Sequence, residues 1–523
     1  MKLSKKTFYD KVLGCWMGKN IGGTLGAPVE FRRQFNDFIF YTHDLNGEPL
    51  PNDDLDLQLI WLKCVEDYGI NITARELAEY WLAYQVANYS EYGIAKTNLK
   101  AGFMPPLSGI IGNEYKDSNG AFIRSEIWAC MCPGRPDLAV QYAYEDAIVD
   151  HGNGEGVYGA MWTAAMESAA FVESDLRKLV EIGKSYIPSD CGVVKAIDTA
   201  IECYDKGMDW KDTRDLLMEK FRGAVLFNVA ELCSDRDREK GFDKGPIGYD
   251  NPLNMAFIVA GMLYGEGDFE KVLCTTVNMG EDTDCTAGTA GSIFGIIYGY
   301  SNIPQKWVDP IGHSIQTICC NKSQGQLFPK TVEELTERTI KQTQMVSSFY
   351  DKKWDMKTMD VSGDEDDLSD VNYSRLYAEN HPLYRCFDLM RPMNGPRYDH
   401  IMFSAALDYE ETYIEPEGES VKITLLLGSK QWEGNELFNF KVEFISDDLT
   451  ADKNEVLVPV WQRQVRPIER VEFNMTADYS KSVYEGTFKI TCPGRHTCLY
   501  VPVTLQSYNR PTDKEYMAKY GKI

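Results

Sequence analysis

Apolar side chains recur at helical spacing through most of the first 350 residues. The pattern predicts helices over Lys6–Gly18, Asp53–Tyr68, Thr73–Asn88, Asp137–Val149, Glu155–Phe171, Cys191–Tyr204, Leu253–Tyr264 and Thr331–Phe349. Strands and helices do not alternate regularly there, which argues against a doubly wound parallel sheet. Cys285 to Gln305 carries no charge and spaces Gly291, Gly295 and Gly299 four apart. Thr286, Thr289, Ser292 and Asn302 dilute its hydropathy, so a buried helix with a small-residue face is expected rather than a membrane span. Beyond residue 376 the period changes to two. Runs beginning at Val421, Phe438, Val456, Val471, Gly486 and Leu499 are short, rich in β-branched and aromatic residues, and separated by Gly, Asn and Asp. The expected fold is an all-α N-terminal domain (1–350), an acidic linker (351–375) and a C-terminal antiparallel β-sandwich (376–523).

Charge narrows the function. Against 79 acidic residues stand 54 Lys and Arg, for a formal net charge of −25. Such a chain lacks the basic face that a phosphate backbone requires, which excludes a nucleic-acid partner, and it is repelled by anionic membranes while favouring cations. Met1 to Asp10 has no signal-peptide pattern, and fourteen scattered cysteines then read as reduced thiols in a cytoplasm. Cys130, Cys132, Cys319 and Cys320 lack the second half of a zinc-site spacing, and no two of the six histidines share helical ligand spacing. Gly154–Gly159 matches G-x-G-x-x-G but follows a helical pattern, so its dinucleotide meaning fails on context.

Carboxylates are more informative. Asn52-Asp53-Asp54 opens a strongly apolar helix, and Glu281-Asp282-Thr283-Asp284 opens the uncharged one. Helix capping explains one acid at each place. Clustered acids drawn inward by a buried helix call for a counter-charge, and with no lysine adjacent in sequence a divalent cation held by oxygens is the natural partner. The pattern alone leaves both readings open.

In order and spacing, five blocks resemble the ADP-ribosylglycohydrolase family, related to the dinitrogenase-reductase-activating glycohydrolase. They are Gly14–Glu30, Asn52–Asp54, Asn119–Arg124, Asp150–Ala160 and Gly280–Cys285. The resemblance covers residues 8 to 310 and implies an all-α domain with a central site. It implies one or two Mg²⁺ ions, with Mn²⁺ as an alternative, held by Asn52, Asp53, Asp54, Asp282 and Asp284. Glu30, Asp53 and Asp284 would be catalytic, and Asn119, Gly120, Arg124, His151, Glu155 and Cys285 would contact substrate. A carboxylate would deprotonate the attacking water while charge develops at a furanose C1. Three positions depart from the family: Asn52 for Thr, Cys285 for the final Thr and Gly23 for Asp. A thiol is a poor ligand for magnesium, which puts the second ion in question.

The expected activity is divalent-cation-dependent hydrolysis of an N- or O-glycosidic bond to a ribose-like furanose, with an ADP-ribosyl conjugate as the family default. A furanoside or nucleoside is the alternative substrate, and a non-catalytic binding protein on the same scaffold is the rival from another class. The sandwich would serve as lid, homo-oligomer interface or sugar-binding module; Trp432, Trp461 and Tyr500 could line a sugar platform, though strand-core packing is the expected fate of most.

Overall fold

The structure is a computed structural model that describes residues 1–223, 230–245, 250–354, 359–380, 394–401, 403–414, 420–429, 437–461 and 468–508. The chain divides into two compact units. One comprises Met1–Thr97 and Ser108–Tyr384, the other Asn98–Leu107 and Arg385–Ile523. The short excursion at Asn98–Leu107 was not legible in the sequence: its Gly102 carbonyl accepts a hydrogen bond from Thr504 at 3.2 Å, within the second unit.

The first unit is helical throughout. It runs α1 (Lys5–Gly26), α2 (Asp53–Tyr68), α3 (Ala74–Tyr84), α4 (Ser90–Lys100, whose last residues belong to the second unit), α5 (Leu107–Ile110), α6 (Glu126–Met131), α7 (Pro136–Ala147) and α8 (Glu155–Ala170). It continues through α9 (Leu176–Lys184), α10 (Gly192–Asp205), α11 (Trp210–Phe221), α12 (Asp235–Glu239), α13 (Asn251–Gly265), α14 (Phe269–Asn278), α15 (Thr283–Tyr298), α16 (Gln305–Val308) and α17 (Val332–Trp354). Side-chain caps start several of these: Ser4 accepts from Thr7 N at α1, and Thr73 with Glu76 forms a capping box at α3. Among the described residues no helix is long and apolar enough to cross a membrane.

The expected helices are present, and α1 is longer than its apolar period suggested, because Gly18 to Gly26 continue the helix instead of ending it. The reason is its partner. α1 and α15 lie antiparallel, with Gly14 against Gly295, Gly18 against Gly291, Gly22 against Ala287 and Gly26 against Thr283. A Cβ at Gly18 would lie 2.0 Å from the Gly291 carbonyl oxygen, and one at Gly22 would lie 2.1 Å from that of Ala287. Backbone therefore meets backbone, and the helix penalty of glycine is offset by this contact. The uncharged 285–305 segment is thus explained as a buried helix. Within this unit Trp16, Trp61, Trp81, Trp128, Trp162 and Trp307 are all fully buried.

The acidic segment after α17 also belongs to the helical unit. Asp366 accepts from Ser4 N at 2.6 Å and from the Thr7 hydroxyl at 2.8 Å, and Asp367 and Asp360 carbonyls accept from Lys2 N and Leu3 N. It is docked along the start of α1 and forms part of that unit's hydrogen bonding.

The second unit contains two five-stranded sheets: β1 (Arg397–Asp399), β2 (Phe403–Tyr409), β3 (Tyr413–Ile414), β4 (Val421–Ser429), β5 (Leu437–Ile445), β6 (Thr450–Ala451), β7 (Glu455–Trp461), β8 (Ile468–Thr476), β9 (Val483–Thr491) and β10 (Cys498–Ser507). The orders are β1-β2-β4-β8-β6 and β3-β10-β9-β5-β7. All six expected runs are strands, and their inward positions, among them Ile423, Leu425, Phe473, Phe488 and Val503, are buried. Phe403 meets Phe440 and Phe473 meets Phe488 at 4.6 Å across the two sheets. One detail departs from the expected antiparallel sandwich: β3 pairs parallel to β10, so the second sheet is mixed. Of the aromatic residues named for a sugar platform, Tyr500 is 55 % exposed instead of packed, and Trp432 lies outside the described residues.

Candidate active site

The glycine seam fixes where α15 begins. Its first residue, Thr283, donates its hydroxyl to the Gly26 carbonyl at 2.8 Å, which ties the acidic turn to the end of α1. Glu30 follows α1 by four residues, so the seam alone brings Glu30, Asp282 and Asp284 together. Gly280 (φ +81°) and Glu281 (φ +67°) make the turn, and a Cβ at Gly280 would lie 2.2 Å from the Gln34 carbonyl oxygen. Glu281 points away from the centre, into a bidentate pair with buried Arg33 at 2.7 and 2.8 Å. Of the acids in that block, only Asp282 and Asp284 face inward.

The start of α2 supplies the opposite wall. Asn52 caps the helix, its amide oxygen accepting from Asp54 N at 2.7 Å while its NH₂ lies 3.5 Å from Asp284 Oδ2. That oxygen is committed to the cap. Asp53 Oδ2 accepts from the Tyr92 hydroxyl at 3.2 Å and from the Tyr89 hydroxyl at 3.5 Å. Asp54 is fully buried. Asp56, the remaining acid of this turn, is structural: its Oδ2 accepts from Ile318 N and Cys319 N at 2.6 and 2.7 Å.

Two overlapping groups result. Glu30, Asp282 and Asp284 each place a carboxylate oxygen within 4.8 Å of the others, and so do Asp54, Asp284 and the Cys285 thiol. Asp282 Oδ1 and Asp284 Oδ1 are buried without a hydrogen-bond partner, as is Asn119 Oδ1. Burial and the neighbouring negative charges raise Glu30, Asp53, Asp54 and Asp284. Glu30 is pushed up to about 9 by burial and by Asp282, Asp53 and Asp54. Asp54 is pushed up to about 7 by burial, against the pull of Lys19. Asp53 is raised, and Asp284 is raised well above an ordinary carboxylate, in both cases first by burial. Orphaned carboxylate oxygens in a dry, over-negative cluster fit a hard divalent cation, and the donors on the Glu30 side are all oxygen.

No lysine is adjacent to these acids in sequence, but the fold brings one to Asp54. Lys19, thirty-five residues from Asp54 in sequence, sits fully buried with its ammonium 3.3 Å from Asp54 Oδ2 and 2.8 Å from Glu126 Oε1. It was findable as the lone charge on α1 between Val12 and Gly26. Tyr89 and Tyr92 were also missed, and nothing in their local sequence marks them.

The expected substrate-contacting residues fall into two sets. Asn119 reaches the centre, donating to Asp282 Oδ2 at 2.8 Å, and Cys285 does so with its thiol 3.4 Å from Asp54 Oδ1. Gly120 lies behind, where a Cβ would meet the Glu91 carboxylate at 2.3 Å. Arg124 and His151 are wholly buried. Arg124 donates to Asp146 at 2.9 Å, to both oxygens of Asp150 at 2.7 and 3.0 Å, and to the Gly120 carbonyl at 2.6 Å. His151 Nδ1 lies 2.9 Å from Asp150, which outweighs burial and raises its pKa. Glu155 accepts from Gly192 N and Val193 N at 2.8 and 2.9 Å, capping α10. These last three hold the frame of the 119–120 segment and its neighbours. Gly154 (φ +90°) precedes α8 and follows α7, so the G-x-G-x-x-G run is a helix start with no strand before it.

A family model described as ADP-ribosylglycohydrolase matches residues 4–347. Two curated proteins share segments with the chain. An "ADP-ribosylarginine hydrolase Tri1" of Serratia proteamaculans (strain 568) is 35 % identical over 72 residues, 14 % of this chain and 19 % of that protein. A protein of the same name from Pseudomonas putida (strain GB-1) is 25 % identical over 91 residues, 17 % of this chain and 22 % of that protein. The matched segments thus span about a fifth of each relative. A solved "ADP-ribosylglycohydrolase-related protein complex" aligns over 65 % of this chain and 99 % of its own, at 17 % identity and a TM-score of 0.43.

Proposed function

The chain belongs to the ADP-ribosylglycohydrolase family, and from that premise we propose that it is a divalent-cation-assisted hydrolase that cleaves the glycosidic bond of an ADP-ribosyl conjugate. The observation that carries the reading is the cluster of Glu30, Asp54, Asp282 and Asp284 around orphaned buried oxygens. Asp282, Asp284 and Glu30 would hold Mg²⁺ or Mn²⁺. When bound, such an ion supplies Lewis-acid polarisation of ribose hydroxyls and charge stabilisation.

The chain's own residues do the rest. Glu30, half-buried at the edge of the cluster beside Asp282 and Asp284, takes the proton of the water that attacks C1. Asp53, fixed by Tyr92 and Tyr89, orients that water or a ribose hydroxyl through its second oxygen. Asn119, held by Asp282, presents its unpartnered amide oxygen to the centre. The two curated relatives make an arginine-linked ADP-ribose the first substrate to test.

The test is hydrolysis of an ADP-ribosylated arginine peptide by wild type, Asp54→Ala and Asp284→Ala proteins of native helicity, with magnesium, manganese or EDTA. Loss of turnover in both variants and with EDTA is expected. Full activity in both variants would overturn the site. Release from nucleosides or aryl furanosides alone would keep the site and replace the substrate.

A further inference from the structure

Lys19 is the only charge in fifteen residues of α1, and its ammonium is buried among oxygens on three sides: Glu126 at 2.8 Å, the Thr289 hydroxyl at 3.1 Å and Asp54 at 3.3 Å. The carboxylate centre is correspondingly lopsided. On the Asp54 side a thiol and an ammonium already face the carboxylate: the Cys285 thiol lies 3.4 Å from Oδ1, and the Lys19 ammonium lies 3.3 Å from Oδ2, an ion-pair contact without a hydrogen bond. On the other side Glu30, Asp282 and Asp284 converge with oxygen donors only, and two of their buried oxygens have no hydrogen-bond partner. An ion placed among Asp54, Asp284 and Cys285 would take a soft thiol as ligand and stand against a fixed like charge in a water-poor interior.

We propose that Lys19 acts as a tethered cation in place of a second metal ion, so that the centre holds a single divalent ion on the Glu30–Asp282–Asp284 side. This rests on the cation-assisted reading above. It has a structural corollary. Because Asp54 and Glu126 share the Lys19 ammonium, these carboxylates keep a counter-charge when the divalent ion is removed, and the helical unit stays folded without it.

The experiment uses the full chain stripped by chelator, titrated with Mn²⁺ by equilibrium dialysis and followed by electron paramagnetic resonance. Wild type is expected to bind one Mn²⁺ per chain, with a mononuclear six-line spectrum at saturation. Two ions, or a spin-coupled pair, would overturn the role of Lys19 while leaving the cation-assisted site intact. No binding at all would overturn the cation-assisted reading itself. Lys19→Ala, which removes the charge and clears its space, is expected to take up a second Mn²⁺ that the added change Asp54→Asn removes again. A Lys19→Ala protein of native circular dichroism that still binds one ion would overturn the proposal, and the wild-type spectrum decides the matter if that variant does not fold.

Discussion

Replacing Arg124 with Met is the sharpest test of how the centre is supported. The guanidinium makes four hydrogen bonds of 2.6–3.0 Å to Asp146, Asp150 and the Gly120 carbonyl, and stacks 4.9 Å from the Trp81 ring centroid. All of it is buried. Methionine retains the bulk but leaves Asp150 with only His151, and Asp146 with only the Trp128 indole at 2.9 Å, as named partners. Removing one partner of a buried ion pair costs about 3–5 kcal/mol, because an uncompensated charge stays behind. For a helical unit of roughly 370 residues, an unfolding entropy of about 2.1 cal/mol/K per residue gives about 0.8 kcal/mol/K, so Tm should fall by about 4–6 °C. Arg124→Lys should recover little, since a single ammonium cannot serve two carboxylates and a carbonyl in that fork. The assay is thermal unfolding by circular dichroism beside steady-state kinetics on the same preparations. An Arg124→Met protein that melts within about 1 °C of wild type while its KM rises about tenfold would refute the argument, and would place the guanidinium against substrate.

Three further outcomes follow from the same geometry. In cation-free protein, Glu30 near 9 and Asp54 near 7 lie above their unfolded values of 4.5 and 3.8, so the folded state binds more protons and loses stability as pH rises between about 4 and 9. The rise in Tm produced by saturating Mg²⁺ or Mn²⁺ should therefore be larger at pH 8 than at pH 5.5, and an equal rise at both would contradict the acid cluster as the cation site. Gly18→Ala, whose methyl would lie 2.0 Å from the Gly291 carbonyl oxygen, should force α1 and α15 apart and cost about 1–3 kcal/mol in denaturant unfolding, or more; a neutral result would deny the backbone-to-backbone seam. Glu155→Ala should cost about 0.5–2 kcal/mol through the lost cap on α10, with kcat unchanged, so a variant of normal Tm and impaired turnover would return Glu155 to the substrate.

Much of this molecule was legible in one dimension. Periodicities of 3.6 and 2 marked the helical and β-sheet units because burial of one face repeats with the backbone's own geometry, and the acidic starts of α2 and α15 stood out because clustered charge before an apolar helix has no cheap structural explanation. The order of five short blocks carried the family. Sequence could not say which acids share a cavity. Glu281 and Asp282 are neighbours in the chain, yet one is spent on Arg33 and the other faces the centre, since Glu281 itself sits at positive φ and turns the backbone there. Arg124 and Glu155 have the residue types of ligand-binding groups, but only packing revealed that their hydrogen bonds go to the frame. Lys19 shows the limit most clearly: its charge was visible, while its meaning depends on α1 and α2 both reaching Gly288 of α15, where a residue remote from Asp54 becomes its counter-ion.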